Sequence, residues 1–295
     1  MPQWAAAARL AIAPLAEGIT NRNFRVEVDG DVFIVRIAGR DTERLGIDRR
    51  RECQCAIAAG QTGVGPEVVA CLPDAGILVT RFIPGRHISL GEMARPEVLG
   101  RVVRSLHLVH AGPSFTGHFS PFRILEEYLR AARASGAPLP EDIGWMDALA
   151  AAIEVATNRG SATMRPCHND LWGPNLIDDG DRVRILDWEY AGMGDVYFDL
   201  ANFAIHHAFT DAEDEALLRA YFGAASAAGL ARLRLLKIVS ELREAMWAMV
   251  AVTLAVNAGT DFDCLQYAAT HFGRCRQALG DHRLPLWLRA PAPDE

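Results

Sequence analysis

His168, Asp170, Asn175 and Asp187 stand within the stretch RPCHNDLWGPNLIDDGDRVRILDWEY, residues 165 to 190. Brought together, these residue types do a specific chemistry. A carboxylate such as that of Asp170 can take or orient the proton of an attacking hydroxyl. A neutral amide oxygen, that of Asn175, and a second carboxylate, that of Asp187, are hard donors suited to Mg²⁺, which fills its other positions with water and phosphate. A base aimed at an alcohol beside a magnesium-bound polyphosphate is the equipment of phosphoryl transfer. The loop after Asp170 is expected to turn back and set Asn175 beside it. A hairpin of NLID and RVRILD is expected to return Asp187 to the same place. The acids of its turn, Asp178, Asp179 and Asp181, have a local reason to be there, because Asp favours turns on backbone grounds.

The order H-x-D-x-x-x-x-N, then an Asp at a strand end, is the spacing of the protein-kinase catalytic loop. Such a site also needs a cover for the phosphates and a cation for them. Gly18, Thr20, Asn21 and Asn23, in EGITNRNFRV, lie on an expected turn before the first strand and could lay backbone N–H groups on phosphate. Arg36, in FIVRIA, could grip phosphate with its forked guanidinium, and Glu52 on the following helix could pair with it. Each of these residues also has an ordinary reading, as a turn, an outward strand position or an exposed helix position. The downstream set tips them towards nucleotide binding.

The elements that must position these residues read as follows. FRVEVDGDVFIVRI, residues 24 to 37, alternates about Asp29-Gly30 and predicts a hairpin. Residues 47 to 59 predict a helix capped by Asp48 and ended by Gly60 or Gly63. EVVACL and ILVTRFI predict two strands around Pro73-Asp74-Ala75-Gly76. Up to residue 82 the pattern is β-β-α-β-β with antiparallel strands. After PGRHISLGE the chain turns helical, with Val98, Val102, Leu106 and Val109 at helical spacing, and only the 165–190 stretch interrupts it. The fold class is α+β in two lobes: residues 1–82 for the nucleotide and 83–295 for catalysis and the acceptor. A cleft between lobes is where a ligand is expected.

Composition narrows the field. A net charge of −7 over 295 residues argues against nucleic acid as a partner, which needs a basic face. The lone lysine, Lys237 in RLLKIV, excludes a Walker-type phosphate loop. The six cysteines, Cys53, Cys55, Cys71, Cys167, Cys264 and Cys275, form no C-x-x-C pair and read as reduced thiols of a cytoplasmic protein. The N-terminal stretch is a poor signal peptide, and no run is long enough for a membrane span. Oligomeric state is not legible.

GITNRNFRVEV…FIVRIAGR, CHNDLWGPNLI and ILDWEYAGMGDVYFDLANFAIHH together resemble the choline/ethanolamine kinases, within the aminoglycoside phosphotransferase-like branch of the protein-kinase-like fold. The resemblance runs from about residue 15 to about residue 275. It implies a bilobal kinase-like fold, ATP and Mg²⁺, and γ-phosphate transfer to a small alcohol. It makes Asp170 the catalytic aspartate, Asn175 and Asp187 the metal ligands, and Arg36 and Glu52 the nucleotide-side ion pair. Gly18 to Asn23 become the phosphate loop. Val79 to Ile83, with Thr80 and Phe82, become the hinge that holds adenine through backbone hydrogen bonds. His168 and Asp199 become braces of the catalytic loop.

For a cationic alcohol the acceptor pocket needs acids and aromatic faces. The resemblance offers Glu189, Tyr190, Trp247 and Tyr267, with Trp172 either lining the pocket or packing beneath it. Glu244 stands where eukaryotic members often carry a second tryptophan, and an acid there favours a primary or less bulky amine. An aminoglycoside, thiamine or a sugar are rival acceptors for the same chemistry. A protein kinase is disfavoured by the absence of an A-P-E segment, a non-catalytic nucleotide-binding module by the intact acidic set, and a metallohydrolase by the absence of H-E-x-x-H. His206 and His207 read as core or surface histidines of an apolar helix.

Overall fold

The computed structural model describes residues 4, 7–15, 18–158, 163–254, 262–290 and 292. Strands β1 (Leu10–Leu15), β2 (Asn21–Val28), β3 (Asp31–Ala38), β4 (Val68–Leu72) and β5 (Ile77–Arg81) form one sheet in the order β1-β2-β3-β5-β4, antiparallel throughout. The β2–β3 hairpin closes where it was expected. Asp29 and Gly30 both take positive φ, 51° and 98°, as a two-residue turn matched to strand twist requires. β1 was not foreseen. All six of its residues are exposed, so an edge strand with no buried face left no alternation to read.

Helix α1 (Arg49–Gln61) packs beside this sheet, and Asp48 caps it by accepting from the N–H groups of Arg50 and Arg51. Gly60 does not end the helix but lies inside it. A Cβ there would sit 2.9 Å from the carbonyl oxygen of Pro66, so the glycine lets the chain pass close on its way to β4. Cys53 on α1 and Cys71 on β4 are joined as a disulfide, their Cα atoms 6.1 Å apart. This corrects the reading of six reduced thiols. The other four cysteines are free and buried.

The second lobe holds β6 (Arg86–His87), α2 (Leu90–Met93), α3 (Pro96–His110), α4 (Pro121–Ser135), α5 (Ile143–Thr157), β7 (Arg165–Cys167), β8 (Leu176–Asp178), β9 (Val183–Ile185), β10 (Gly192–Gly194), α6 (Val196–His206), α7 (Asp211–Phe222), α8 (Ala227–Thr253), α9 (Cys264–Leu279) and α10 (Leu284–Trp287). Two small antiparallel sheets frame the functional stretch: β10 with β7, and β6-β8-β9. Between β8 and β9, Asp179 Oδ1 accepts from the N–H groups of Asp181 and Arg182. Asp178 Oδ1 likewise accepts from the Gly180 N–H, so these two acids serve the backbone as expected, while Asp181 pairs with the Arg182 side chain.

Helix α8 is the axis of this lobe, packed against α4, α5, α6, α7, α9 and α10. It is buried on nearly every side, so its polar residues must find partners inside the protein. Arg232 pairs with Asp195, Ser240 with Asn202, Glu241 with His271, and Arg243 with Glu244. Among the described residues no helix is long and apolar enough to cross a membrane.

His207, at the C-terminal end of α6, is buried. Its Nδ1 donates to the Phe203 carbonyl at 2.7 Å, and its Nε2 has no partner among the described residues. Burial pushes its pKa down to about 4, below the value in an unfolded chain. The folded state therefore resists protonation, and stability is lost as pH falls from about 6.5 towards 4. At pH 5 this amounts to at most about 2 kcal/mol. His207→Leu should narrow the gap between melting temperatures measured at pH 7.5 and pH 5. An unchanged gap would contradict this account.

Candidate active site

β7 delivers the chain to His168, and the loop that follows is held from below by α6. Asp199, fully buried, accepts from the backbone N–H of His168 at 2.9 Å and of Asn169 at 2.6 Å. It also faces His110 Nε2 at 2.9 Å. Asn169 takes φ 67°, a left-handed turn that Asn tolerates better than most residues. His168 is fixed in one tautomer: Nε2 donates to the Leu186 carbonyl at 2.8 Å, and Nδ1 accepts from the Asp170 N–H at 3.1 Å. Burial lowers its pKa, which suits this neutral bracing role. Asp170 itself faces the cleft. Burial raises its carboxyl above the usual range, while Arg243 pulls the other way.

Asn175 ends a short 3₁₀ turn, Gly173–Asn175. Its Nδ2 donates to the Asp170 carbonyl at 3.0 Å, which leaves the amide oxygen as the free ligand atom. The backbone N–H of Leu186 donates to the Asn175 carbonyl at 2.8 Å. The β8–β9 hairpin thus brings Asp187 back beside Asn175. Asp187 takes φ 60°. Its carboxyl is pushed up to about 7, chiefly by burial and then by Glu189, against the pull of Arg36. Carboxylate oxygens of Glu52, Asp187 and Glu189 lie within 4.8 Å of one another. An amide oxygen beside crowded carboxylates is a donor set that fits Mg²⁺.

The first lobe faces this set with arginines. Arg36 reaches Glu52 with Nη2 and Asp187 with Nη1, the latter at 2.5 Å. Arg49, which sequence reasoning passed over, joins Glu52 at 2.8 Å, Glu189 at 3.1 Å and the Asn21 side-chain oxygen at 2.9 Å. Glu189 was expected at the acceptor. Its carboxylate instead accepts from Thr20, Asn21 and Arg49, which turns it towards the first lobe. Gly18 and Thr20 lie between β1 and β2, whereas Asn21 and Asn23, expected on the turn, stand on β2 itself; all four line the cleft. Gly18 has φ 134°, and a Cβ there would meet the Asn21 carbonyl oxygen at 2.8 Å, so this bend needs glycine. Thr80 and Phe82 also line the cleft. The N–H groups of Arg81 and Phe82 are already used, donating to Glu67 and Val32, so they are not available to an adenine.

At the far end of the cleft, Trp247 and Tyr267 stand with Phe262 in a cluster of rings, their centroids 5.1 to 6.1 Å apart. Phe262 had not been singled out. Glu244 is not free for a ligand ammonium. It holds Arg243 Nη1 at 2.6 Å, accepts from the Tyr267 hydroxyl at 3.0 Å and lies 3.5 Å from His206. Burial would raise the Glu244 carboxyl, but Arg243 and His206 hold it below the usual range. Tyr190 carries the Arg243 guanidinium on its ring, 4.4 Å from the centroid, so that face is taken. Trp172 lines the cavity. Arg243 was missed here, and His206, read as a core or surface histidine, lines the cavity instead. Their signal was charge placed in an otherwise apolar helical run, since a buried arginine needs a partner.

Asp170, Asn175 and Asp187, with Gly18, Thr20, Asn21, Asn23, Arg36 and the aromatic cluster, line one cavity of about 450 Å³ between the lobes, with His168, Asp199, Glu52 and Arg49 behind its wall. Against known proteins, the model of the phosphotransferase enzyme family matches residues 11–236. The chain belongs to that family. A choline/ethanolamine kinase family protein from Mesorhizobium loti is 30% identical and superposes with a TM-score of 0.82, covering 98% of this chain and 95% of that one. This sets the chain beside the choline/ethanolamine kinases within the phosphotransferase family and confirms the kinase-like two-lobed α+β fold. Protein LicA of Haemophilus influenzae is 29% identical over 187 residues, 62% of this chain and 55% of LicA. A thiamine kinase of Escherichia coli is 24% identical over 185 residues, 62% of each chain. Both matches stop short of two thirds of the relative's length.

Asp199→Ala strips a buried acceptor from two backbone N–H groups and from His110. It should lower the free energy of unfolding by about 3 kcal/mol or more, read by denaturant titration. A loss under about 1 kcal/mol would mean that the catalytic loop does not depend on this carboxylate.

Proposed function

We propose that this phosphotransferase uses ATP and Mg²⁺ to phosphorylate the hydroxyl of a small cationic alcohol of the choline or ethanolamine kind. The observation that carries the reading is that Asp170, Asn175 and Asp187 line one wall of a single cavity. The arginine-bearing lobe stands on one side of it and the aromatic cluster on the other. We place the division of labour at residues 82 and 83, just past the end of β5, with nucleotide binding before it and catalysis and acceptor binding after it.

In this reading Asp170 accepts the hydroxyl proton as the acceptor oxygen bonds to the γ-phosphorus. The bond from that phosphorus to the β–γ bridging oxygen breaks, and ADP leaves with the electron pair. Asn175 and Asp187 would hold Mg²⁺, which neutralises phosphate charge when bound. Arg36, kept in place by Glu52, and the Gly18–Asn23 bend serve the phosphates, while Thr80 and Phe82 border the base. Trp247, Phe262 and Tyr267 offer ring faces to the acceptor's cation. Glu189 we assign to the phosphate side. Glu244 and Tyr190 we assign to the wall behind the acceptor.

Thiamine is a second reading, since a thiamine kinase is among the relatives and the same rings suit a thiazolium. ADP release measured across choline, ethanolamine, thiamine, aminoglycosides and sugars separates these readings. Turnover with choline or ethanolamine above the rest is the expected result, and turnover confined to sugars or aminoglycosides would overturn it.

Two variants test the roles. Asp170→Asn should cut kcat by about 10²-fold or more while nucleotide binding survives. Normal turnover would remove Asp170 from the chemistry. Asp187→Ala should weaken binding of ATP in the presence of Mg²⁺ and leave little difference between buffers with and without the ion. Wild-type affinity in Mg²⁺ would count against its assignment.

A further inference from the structure

Arg243 has no part in the reading above, yet it sits at the centre of the cavity wall. It is almost wholly buried. A buried guanidinium is costly unless its partners are excellent, and a pair of apolar residues would serve stability as well or better. Its position therefore asks for a reason at the cavity it lines. Its Nη1 lies 2.6 Å from Glu244 Oε1 and 3.4 Å from Asp170 Oδ1, and its guanidinium stacks on Tyr190.

These contacts close a ring. Asn202 Oδ1 accepts from the N–H of Leu171, the residue after Asp170, at 2.6 Å. The Nδ2 of the same Asn202 faces Glu244 Oε1 at 3.4 Å. Glu244 holds Arg243, and Arg243 returns to the Asp170 side chain. The backbone at Asp170 is already fixed by His168 on its N–H and by Asn175 on its carbonyl. What those bonds leave loose is the rotation of the Asp170 side chain, and the guanidinium contacts the carboxylate itself.

We propose that Arg243 is a positioning residue. Clamped by Glu244 and Tyr190, it sets the direction in which the Asp170 carboxylate meets the acceptor hydroxyl. Planar and held on two sides, an arginine fixes a direction more tightly than a lysine's single ammonium on a flexible stem, which keeps the charge but only part of the alignment. The proposal rests on Asp170 being the group that meets the hydroxyl.

The test uses the full-length protein with ATP, Mg²⁺ and choline, or whichever amino alcohol turns over fastest. Arg243→Met alone leaves Glu244 without its main cation and can fail to fold, so Arg243→Met/Glu244→Gln, which removes both charges together, is measured beside it. In the folded double variant kcat should fall between about ten- and a hundred-fold, with the KM for ATP within about two-fold of wild type. Arg243→Lys should recover part of the loss. Wild-type kcat in the double variant would overturn the proposal. So would a rise in the KM for ATP matching the fall in kcat, which would mean a general loosening of the fold. Asp170→Asn run in parallel separates the two levels. If it is inactive while the double variant is normal, only the role of Arg243 fails. If it is fully active, the reading beneath it fails as well.

Discussion

Arg36 crosses the cleft with a forked side chain, one arm on Glu52 of α1 and the other on Asp187 after β9. That bridge ties the first lobe to the end of the β8–β9 hairpin in the second. The carboxylates of Glu52, Asp187 and Glu189 crowd together, and acids cannot share a partly dry space without compensating cations. Arg36 and Arg49 supply them from the first lobe. Because a guanidinium presents donors in a fixed fork, Arg36 can hold two carboxylates at once, where an ammonium would act as a single point of charge. This gives a physical reason for arginine rather than lysine at this position.

The second lobe solves the same difficulty differently. Its acids in the cavity wall, Asp170 and Glu244, are balanced by Arg243, and His206 faces Glu244. The cavity thus has a charged wall whose groups are committed to one another and an aromatic end formed by Trp247, Phe262 and Tyr267, packed ring against ring. Balanced charge and aromatic surface are kept at separate places along one cleft.

Much of this was legible because its causes are local. The Asp29-Gly30 turn, the Asp48 cap and the Asp179 turn each follow from what a few neighbouring residues do to the backbone. So does the return of Asp187 beside Asn175, since a short hairpin leaves the chain little else to do. β1 escaped notice because a fully exposed edge strand has no buried face to write into the pattern. The Cys53–Cys71 link escaped because 18 residues of chain say nothing about α1 lying against β4.

The sequence by itself determined the family and the order in which Asp170, Asn175 and Asp187 follow one another into the cleft, because turn geometry, strand alternation and their spacing act over a few residues. Tertiary structure alone decided which distant charges meet. Glu189 turns to Arg49 of the first lobe, Arg243 reaches Asp170 across 73 residues of chain, and Glu244 gathers Tyr267 and His206 from other helices. A buried charge takes whichever partner the packing brings near, and distance along the chain carries no record of that choice.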